Sequence, residues 1–134
     1  MTTITAPNRL QRRSREALST LGLQFLLGMG ANLIGTPSEN TGAGRVAAGV
    51  VLGLHVLIGV GLIVVAIRLL AVARADGVGR TEALWGLVLV VVTFLIGLAT
   101  TLTGSEWLSF LMAVGFTASA ALYVRTLLLG SARG

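Results

Sequence analysis

The sequence predicts an all-α membrane protein, an up-down bundle of four transmembrane helices built from two helical hairpins in tandem. Two observations support this prediction. Hydrophobic residues make up 54% of the 134 residues and charged residues only 11%, whereas about a quarter of an ordinary soluble domain is charged. Four stretches are also mostly apolar over the roughly 20 residues that a helix needs to cross a bilayer. Helices that are apolar on every side are typical of a lipid environment.

The predicted spans cover residues 17–35, 46–70, 83–103 and 107–128 of a single transmembrane domain, 17–134. Residues 1–16 precede it as a basic N-terminal tail. The polar stretch 36–44 forms the longer outer loop, and residues 71–81 form the inner loop. The third connection, around Gly104-Ser105-Glu106, is very short, so spans three and four are predicted to form a tight antiparallel hairpin.

Arginine placement predicts the orientation. All ten basic residues are arginines, and four spans put both termini on one side. Nine arginines fall on that side and Arg45 alone falls on the other, which predicts cytoplasmic termini and a multi-pass protein of the cytoplasmic (bacterial inner) membrane. We expect no nucleic-acid partner, because the arginines follow a membrane face. The N-terminal cluster is expected to meet anionic lipid headgroups; its members are Arg9, Arg12, Arg13 and Arg15.

The two hairpins resemble each other in sequence. Residues 25–35 match residues 94–104, with Phe, Leu, Gly, Leu and Gly at the same places. Residues 55–61 match residues 109–115, which aligns His55 with Ser109. The aromatic residues Trp107 and Tyr123 are predicted to lie at the two membrane–water interfaces.

Small residues predict the packing faces, because they let helix backbones approach closely in lipid. At 100° per residue, one face of span one carries Gln24 and Asn32 together with glycines. Span two has one face with His55 and a glycine, and a second small-residue face on the other side. The predicted packing glycines are Gly28, Gly35, Gly49, Gly53, Gly59, Gly97 and Gly104.

His55 is the only histidine, and it lies about 13 Å deep in span two at 1.5 Å per residue. Gln24 lies at a similar depth in span one, so we expect His55 to contact Gln24 or Asn32. The contact would be an interhelical hydrogen bond, or His55 would ligate a haem or metal or relay protons. A haem usually takes two axial ligands, which leaves ligation by His55 with Met29 or Met112, or a site shared across a dimer.

The run Gln24-x-x-Leu27-Gly28 followed by a histidine-bearing helix resembles one half of haem A synthase and related four-helix haem proteins. The resemblance covers two spans and implies haem binding. Those proteins place histidines on several helices, whereas this chain supplies only His55. The whole chain is similar to many small four-span membrane proteins of bacteria, a resemblance that implies the fold and no activity.

Three functions are compatible with these residues. The favoured one is a non-enzymatic accessory or assembly subunit, without a cofactor, that acts through helix–helix contacts with a second copy or another membrane protein. The alternatives are a haem-binding or redox protein that uses His55 and a small-solute pore or transporter. The polar stripe that would line the pore comprises Gln24, Asn32, Thr93, Thr100 and Thr101. All five carboxylates lie in the tail, loops or helix ends, which argues against a proton-coupled exporter and against paired-carboxylate catalysis.

Overall fold

The computed structural model describes residues 9–132, which form four α-helices. They are α1 (Arg9–Ile34), α2 (Gly42–Asp76), α3 (Arg80–Thr103) and α4 (Glu106–Ser131). Each helix is long and apolar enough to cross a membrane. Helix α1 packs on α2 and α4, and α3 also packs on α2 and α4. The predicted all-α four-helix bundle is therefore confirmed, and the chain is a multi-pass membrane protein.

The helices extend beyond the predicted spans. Helix α1 begins at Arg9, so residues 9–16 of the predicted tail form its first two turns. Leu10, Ser14 and Ala17 are buried, and their spacing of three or four residues lets this extension pack one face on the bundle. Residues 1–8 of the predicted tail lie outside the described residues.

Glycines reverse the chain at the helix ends. Gly77 follows α2 with a φ of +67°, and its N–H donates to the carbonyl oxygen of Ala73. Gly104 follows α3 with a φ of +65° and donates to Thr100 at 2.8 Å. Residues with side chains are strained in this left-handed region. Gly104 and Gly35 (φ +81°) were predicted to pack helices, but both lie at turns, where the backbone requires them.

The loop between α1 and α2 is held by its own polar side chains. The side-chain amide of Asn40 donates to the carbonyl oxygens of Ile34 and Thr36, both at 2.9 Å. The backbone N–H of Thr36 donates to Glu39 Oε2 at 2.8 Å. Hydrogen bonds from the backbone and side chain of Thr36 lower the pKa of the Glu39 carboxyl.

The buried core occupies one half of the bundle. We call this the Arg-rich half: it contains the start of α1, the α2–α3 turn and the end of α4. The other end is the Arg-poor half, and its helical segments are 26–34, 42–58, 95–103 and 106–115. Ala48 is the only buried residue in these four segments. The apolar core cluster comprises Leu10, Ala17, Leu21, Leu62, Ala66, Leu69, Leu70, Ala73, Ala83, Val90 and Tyr123.

Tyr123 is fully buried in this core, so its predicted interfacial position is wrong. Its ring lies against the backbone of Gly86, and a Cβ at position 86 would overlap the ring. Two small residues of other helices, Ala17 and Ala66, belong to the same buried cluster. A large side chain on α4 is therefore accommodated by small residues on its neighbours. Trp107, by contrast, is 77% exposed at the Arg-poor end.

We expect Tyr123→Ala to lower the free energy of unfolding by about 3 kcal/mol or more, because it leaves a cavity in the core. Tyr123→Phe should change stability little, because the buried hydroxyl has no hydrogen-bond partner among the described residues. The measurement is SDS- or heat-induced unfolding in detergent, followed by circular dichroism. Trp107→Ala is the matched control and should cost under about 1 kcal/mol as a surface substitution. Equal losses from Tyr123→Ala and Trp107→Ala would contradict the buried position of Tyr123.

Candidate functional site

A polar pair joins α1 and α2 at the level where the core ends. The side-chain nitrogen Nε2 of Gln24 lies 3.2 Å from Nε2 of His55. Of the two contacts expected for His55, the structure therefore contains the one with Gln24. Asn32, two turns further along α1, is exposed.

Each member of the pair packs on a glycine of the opposite helix. A Cβ at Gly28 of α1 would lie 2.9 Å from Cε1 of the His55 ring. A Cβ at Gly59 of α2 would lie 3.1 Å from Nε2 of Gln24. Since real Cβ atoms do not approach other atoms as closely as 2.9 Å, the imidazole fits only because residue 28 has no side chain. Both helices thus place a polar residue and a glycine one turn apart, in a reciprocal arrangement.

The hydrogen bond determines the tautomer of His55. An amide nitrogen donates, so Nε2 of the ring accepts and the ring proton is on Nδ1. Both Nδ1 of His55 and Oε1 of Gln24 are buried, and neither has a hydrogen-bond partner among the described residues. The pair therefore makes one hydrogen bond and leaves one donor and one acceptor unsatisfied.

The second hairpin has a related contact without ionisable groups. Thr93 of α3 packs against Gly115 of α4, and a Cβ at Gly97 would lie 3.3 Å from Cε of Met112. Gly97 of the second hairpin therefore faces Met112, whereas the matching Gly28 of the first hairpin faces His55. The sequence alignment paired His55 with Ser109 instead. The difference arises because the α3–α4 turn is shorter than the α1–α2 loop, which changes the register between the two helices of the hairpin.

Two phenylalanines connect the hairpins at the level of the polar pair. Phe25 of α1 stacks on Phe116 of α4, with ring centroids 4.7 Å apart. Phe94 of α3 lies over Gly59 of α2, where a Cβ would be 2.9 Å from the ring. These contacts were not predicted from the sequence. The repeat contained a signal for them, since Phe25 and Phe94 are the matching first residues of its two copies.

The remaining candidate residues are dispersed. Gly49 and Gly53 lie on an exposed face of α2; the nearest atom to a Cβ at Gly49 is Pro37 Cγ at 4.0 Å, and nothing lies within 4 Å at Gly53. The hydroxyl groups of Thr100 and Thr101 donate to the carbonyl oxygens of Ile96 and Leu98. Threonine hydroxyls that bond to their own helix are typical of helix packing.

The arginine cluster lies on the first two turns of α1. Arg9, Arg12 and Arg15 are exposed, and Arg13 forms a salt bridge with Glu16.

The environment of His55 bears on metal and haem binding. The imidazole fills the space above Gly28, its Nε2 is engaged by Gln24, and its Nδ1 is sealed from the surface. In residues 9–132 no group of three His, Cys, Asp or Glu side chains is placed to hold a metal ion. The packed arrangement favours a hydrogen-bonding role for His55 over ligation of a porphyrin, which needs open space beside the ring.

No protein-family model, curated protein or solved structure matches the chain. The resemblance to haem A synthase is therefore unsupported, and the four apolar helices alone define the class of protein.

We expect Gln24→Leu to destabilise the protein by about 1–2 kcal/mol, because it leaves the half-buried His55 ring without its hydrogen bond. His55→Leu should act similarly on Gln24. The double variant should cost less than the two single variants together, with a coupling of about 1 kcal/mol, as found for hydrogen bonds between membrane helices. The measurement is a double-mutant cycle of SDS unfolding in detergent. Asn32→Leu, an exposed control on the same helix, should have little effect. Strict additivity of Gln24→Leu and His55→Leu would contradict the hydrogen bond.

Proposed function

We propose that the chain is a non-enzymatic accessory or assembly subunit of the cytoplasmic membrane, with both termini in the cytoplasm. It acts through contacts between its helices and those of another membrane protein or a second copy. Its exposed arginines Arg9, Arg12 and Arg15 contact anionic lipid headgroups. No cofactor is required for this role.

The observation that carries the proposal is the absence of a core in the Arg-poor half. Its four helical segments contain a single buried residue, Ala48, whereas the Arg-rich half holds the whole apolar core cluster. Helices in a bilayer associate through close van der Waals packing and interhelical hydrogen bonds. The Arg-poor half therefore has helix faces that its own bundle leaves unpacked, and a partner helix can gain contacts there.

Gly49 and Gly53 of α2 support the same role. They lie one turn apart in the pattern Gly-x-x-x-Gly, on an exposed face. This pattern lets two helices approach closely in membranes. Three of the other predicted packing glycines face side chains of their own bundle: Gly28 faces His55, Gly59 faces Phe94 and Gly97 faces Met112. The Gly49 and Gly53 face is available for a contact outside the chain.

Removing this face tests the proposal. The chain should migrate as a complex larger than a monomer after extraction in mild detergent, and Gly49→Leu should reduce the complexed fraction at least fivefold because the added side chain prevents close approach. Native electrophoresis and analytical ultracentrifugation measure that fraction. Gly22→Leu is the matched control, since nothing lies within 4 Å of a Cβ at Gly22 and the nearest atom to a Cβ at Gly49 is 4.0 Å away. A wild-type chain that remains monomeric after membrane crosslinking would refute the proposal.

Haem binding at His55 is the second candidate, and the observation in its favour is that Nδ1 of the half-buried ring has no hydrogen-bond partner among the described residues; ligation through Nδ1 would require this nitrogen to give up its proton. The packing of the ring on Gly28 supports it less than the assembly role. Protein produced with ample haem should show no Soret band in its visible spectrum. A Soret band that His55→Ala abolishes would establish haem binding instead. The pore hypothesis has weaker support, because Thr100 and Thr101 bond to their own helix.

A further inference from the structure

Two helix faces of the Arg-poor half are complementary to each other. The first, which we call the α2 face, is a row along the exposed side of α2. It comprises Arg45, Gly49, Gly53, Leu57 and Val60. The second, which we call the α4 groove, is a shallow, open strip along the exposed side of α4 that begins at Glu106 and Trp107. Its further lining residues are Phe110, Ala113, Val114, Thr117, Ala118 and Ala121.

The two faces carry opposite charges at the same end. Arg45, near the start of α2, is the only basic residue that the described chain places at the Arg-poor end, and Glu106 is the first residue of α4. The described residues form two salt bridges, Arg13 with Glu16 and Arg125 with Glu82. Neither Arg45 nor Glu106 takes part in them. An opposite charge on another chain at this end would therefore complete a pair.

The sizes of the side chains also match. Helices α2 and α4 are the second helices of their hairpins, so both run from the Arg-poor end to the Arg-rich end. When α2 of one copy lies parallel to α4 of another, with Arg45 opposite Glu106, each later contact joins a large residue with a smaller one. The pairs are Gly49 with Phe110, Gly53 with Val114, Leu57 with Ala118 and Val60 with Ala121. Large residues fill the positions where the partner helix has little side chain, as interdigitated helix packing requires.

We propose that the α2 face of one copy docks in the α4 groove of a second copy. The proposal rests on the assembly role and identifies the partner. The contact joins two different faces, so it is heterologous, and each copy offers both faces to its neighbours. Arg45 and Glu106 set the register and direction of the helices, and the glycines allow close approach.

The chain contains no cysteine, so disulfide crosslinking tests the contact directly. Arg45→Cys is introduced in a copy with one tag and Glu106→Cys in a copy with a second tag, and native membranes holding both are oxidised. The mixed disulfide should form at least ten times more than either like pair. Adding Gly53→Leu to the Arg45→Cys copy should reduce it at least tenfold. Gly61→Leu, another α2 glycine with nothing within 4 Å of a Cβ, should leave it unchanged.

A charge exchange provides a second measurement that needs no crosslink. Arg45→Glu should reduce the oligomeric fraction in mild detergent at least fivefold, because it places two acidic groups together. Glu106→Arg in the same chain should restore it, because the pair is rebuilt with its signs exchanged. Circular dichroism and melting of each variant verify that the bundle is folded. No rescue by the double variant would overturn the assignment of this charge pair.

The outcomes separate this contact from the general assembly role. A dominant disulfide between two Arg45→Cys copies would indicate a symmetric α2–α2 dimer and overturn the proposed contact, while assembly would stand. A larger complex that depends on Gly49 but yields no disulfide between copies would identify another protein as the partner and also overturn it. A monomeric wild-type chain would overturn both proposals.

Discussion

The contacts between the helices of this bundle depend on one constraint, the need for a glycine wherever a larger side chain crosses toward a neighbouring backbone. His55 lies on Gly28, Gln24 and Phe94 lie on Gly59, and Tyr123 lies on Gly86. In soluble proteins the hydrophobic effect drives apolar helices together. In a bilayer this driving force is absent, because the lipid tails are as apolar as the helix surfaces. Close approach and dense van der Waals contact must therefore supply the attraction. A side chain at any of these glycines would separate the helices and remove it.

The same constraint explains why the core is confined to the Arg-rich half. There, Gly86 lies against the Tyr123 ring, and the alanines at positions 17, 66 and 83 belong to the same buried cluster, which draws residues from all four helices. In the Arg-poor half, the helix–helix contacts that involve glycines join helices of the same hairpin. Examples are Gly30 with Val51 and Gly97 with Met112. The two hairpins thus behave as preformed pairs that are joined at one end. This geometry leaves helix faces free at the other end without weakening either hairpin.

Composition was sufficient to predict the fold class, because only a membrane accommodates four helices that are apolar on nearly every side. A contact of His55 with Gln24 or Asn32 was predictable too, since Gln24 lies at a similar depth in the neighbouring span, and the structure contains the contact with Gln24. The burial of Tyr123 was not, because an aromatic residue with a hydroxyl near a span end has the same local pattern at an interface and in a core. Its position depends on Gly86 of another helix. The roles of Gly35 and Gly104 were missed because a period of 100° holds only inside a helix, and both lie where the helix ends.

The Gln24–His55 pair is better explained by specificity of packing than by stability. One hydrogen bond between membrane helices contributes about 1 kcal/mol, whereas each buried polar atom without a partner costs about 1–3 kcal/mol. The pair has one hydrogen bond and two such atoms, so two well-packed apolar residues would stabilise the contact at least as well.

The contribution of the Gln24–His55 pair is to fix the register of α1 against α2. In the observed alignment of α1 and α2 each polar side chain lies on a glycine and next to its partner; sliding one helix along the other separates Gln24 from His55 and breaks their hydrogen bond. A single polar position that determines how helices align, at a cost in stability, is known from coiled coils. By the same reasoning, the first hairpin has one preferred register before it meets the second, and the apolar Met112 contact leaves the second hairpin to be aligned by its short turn and its glycines.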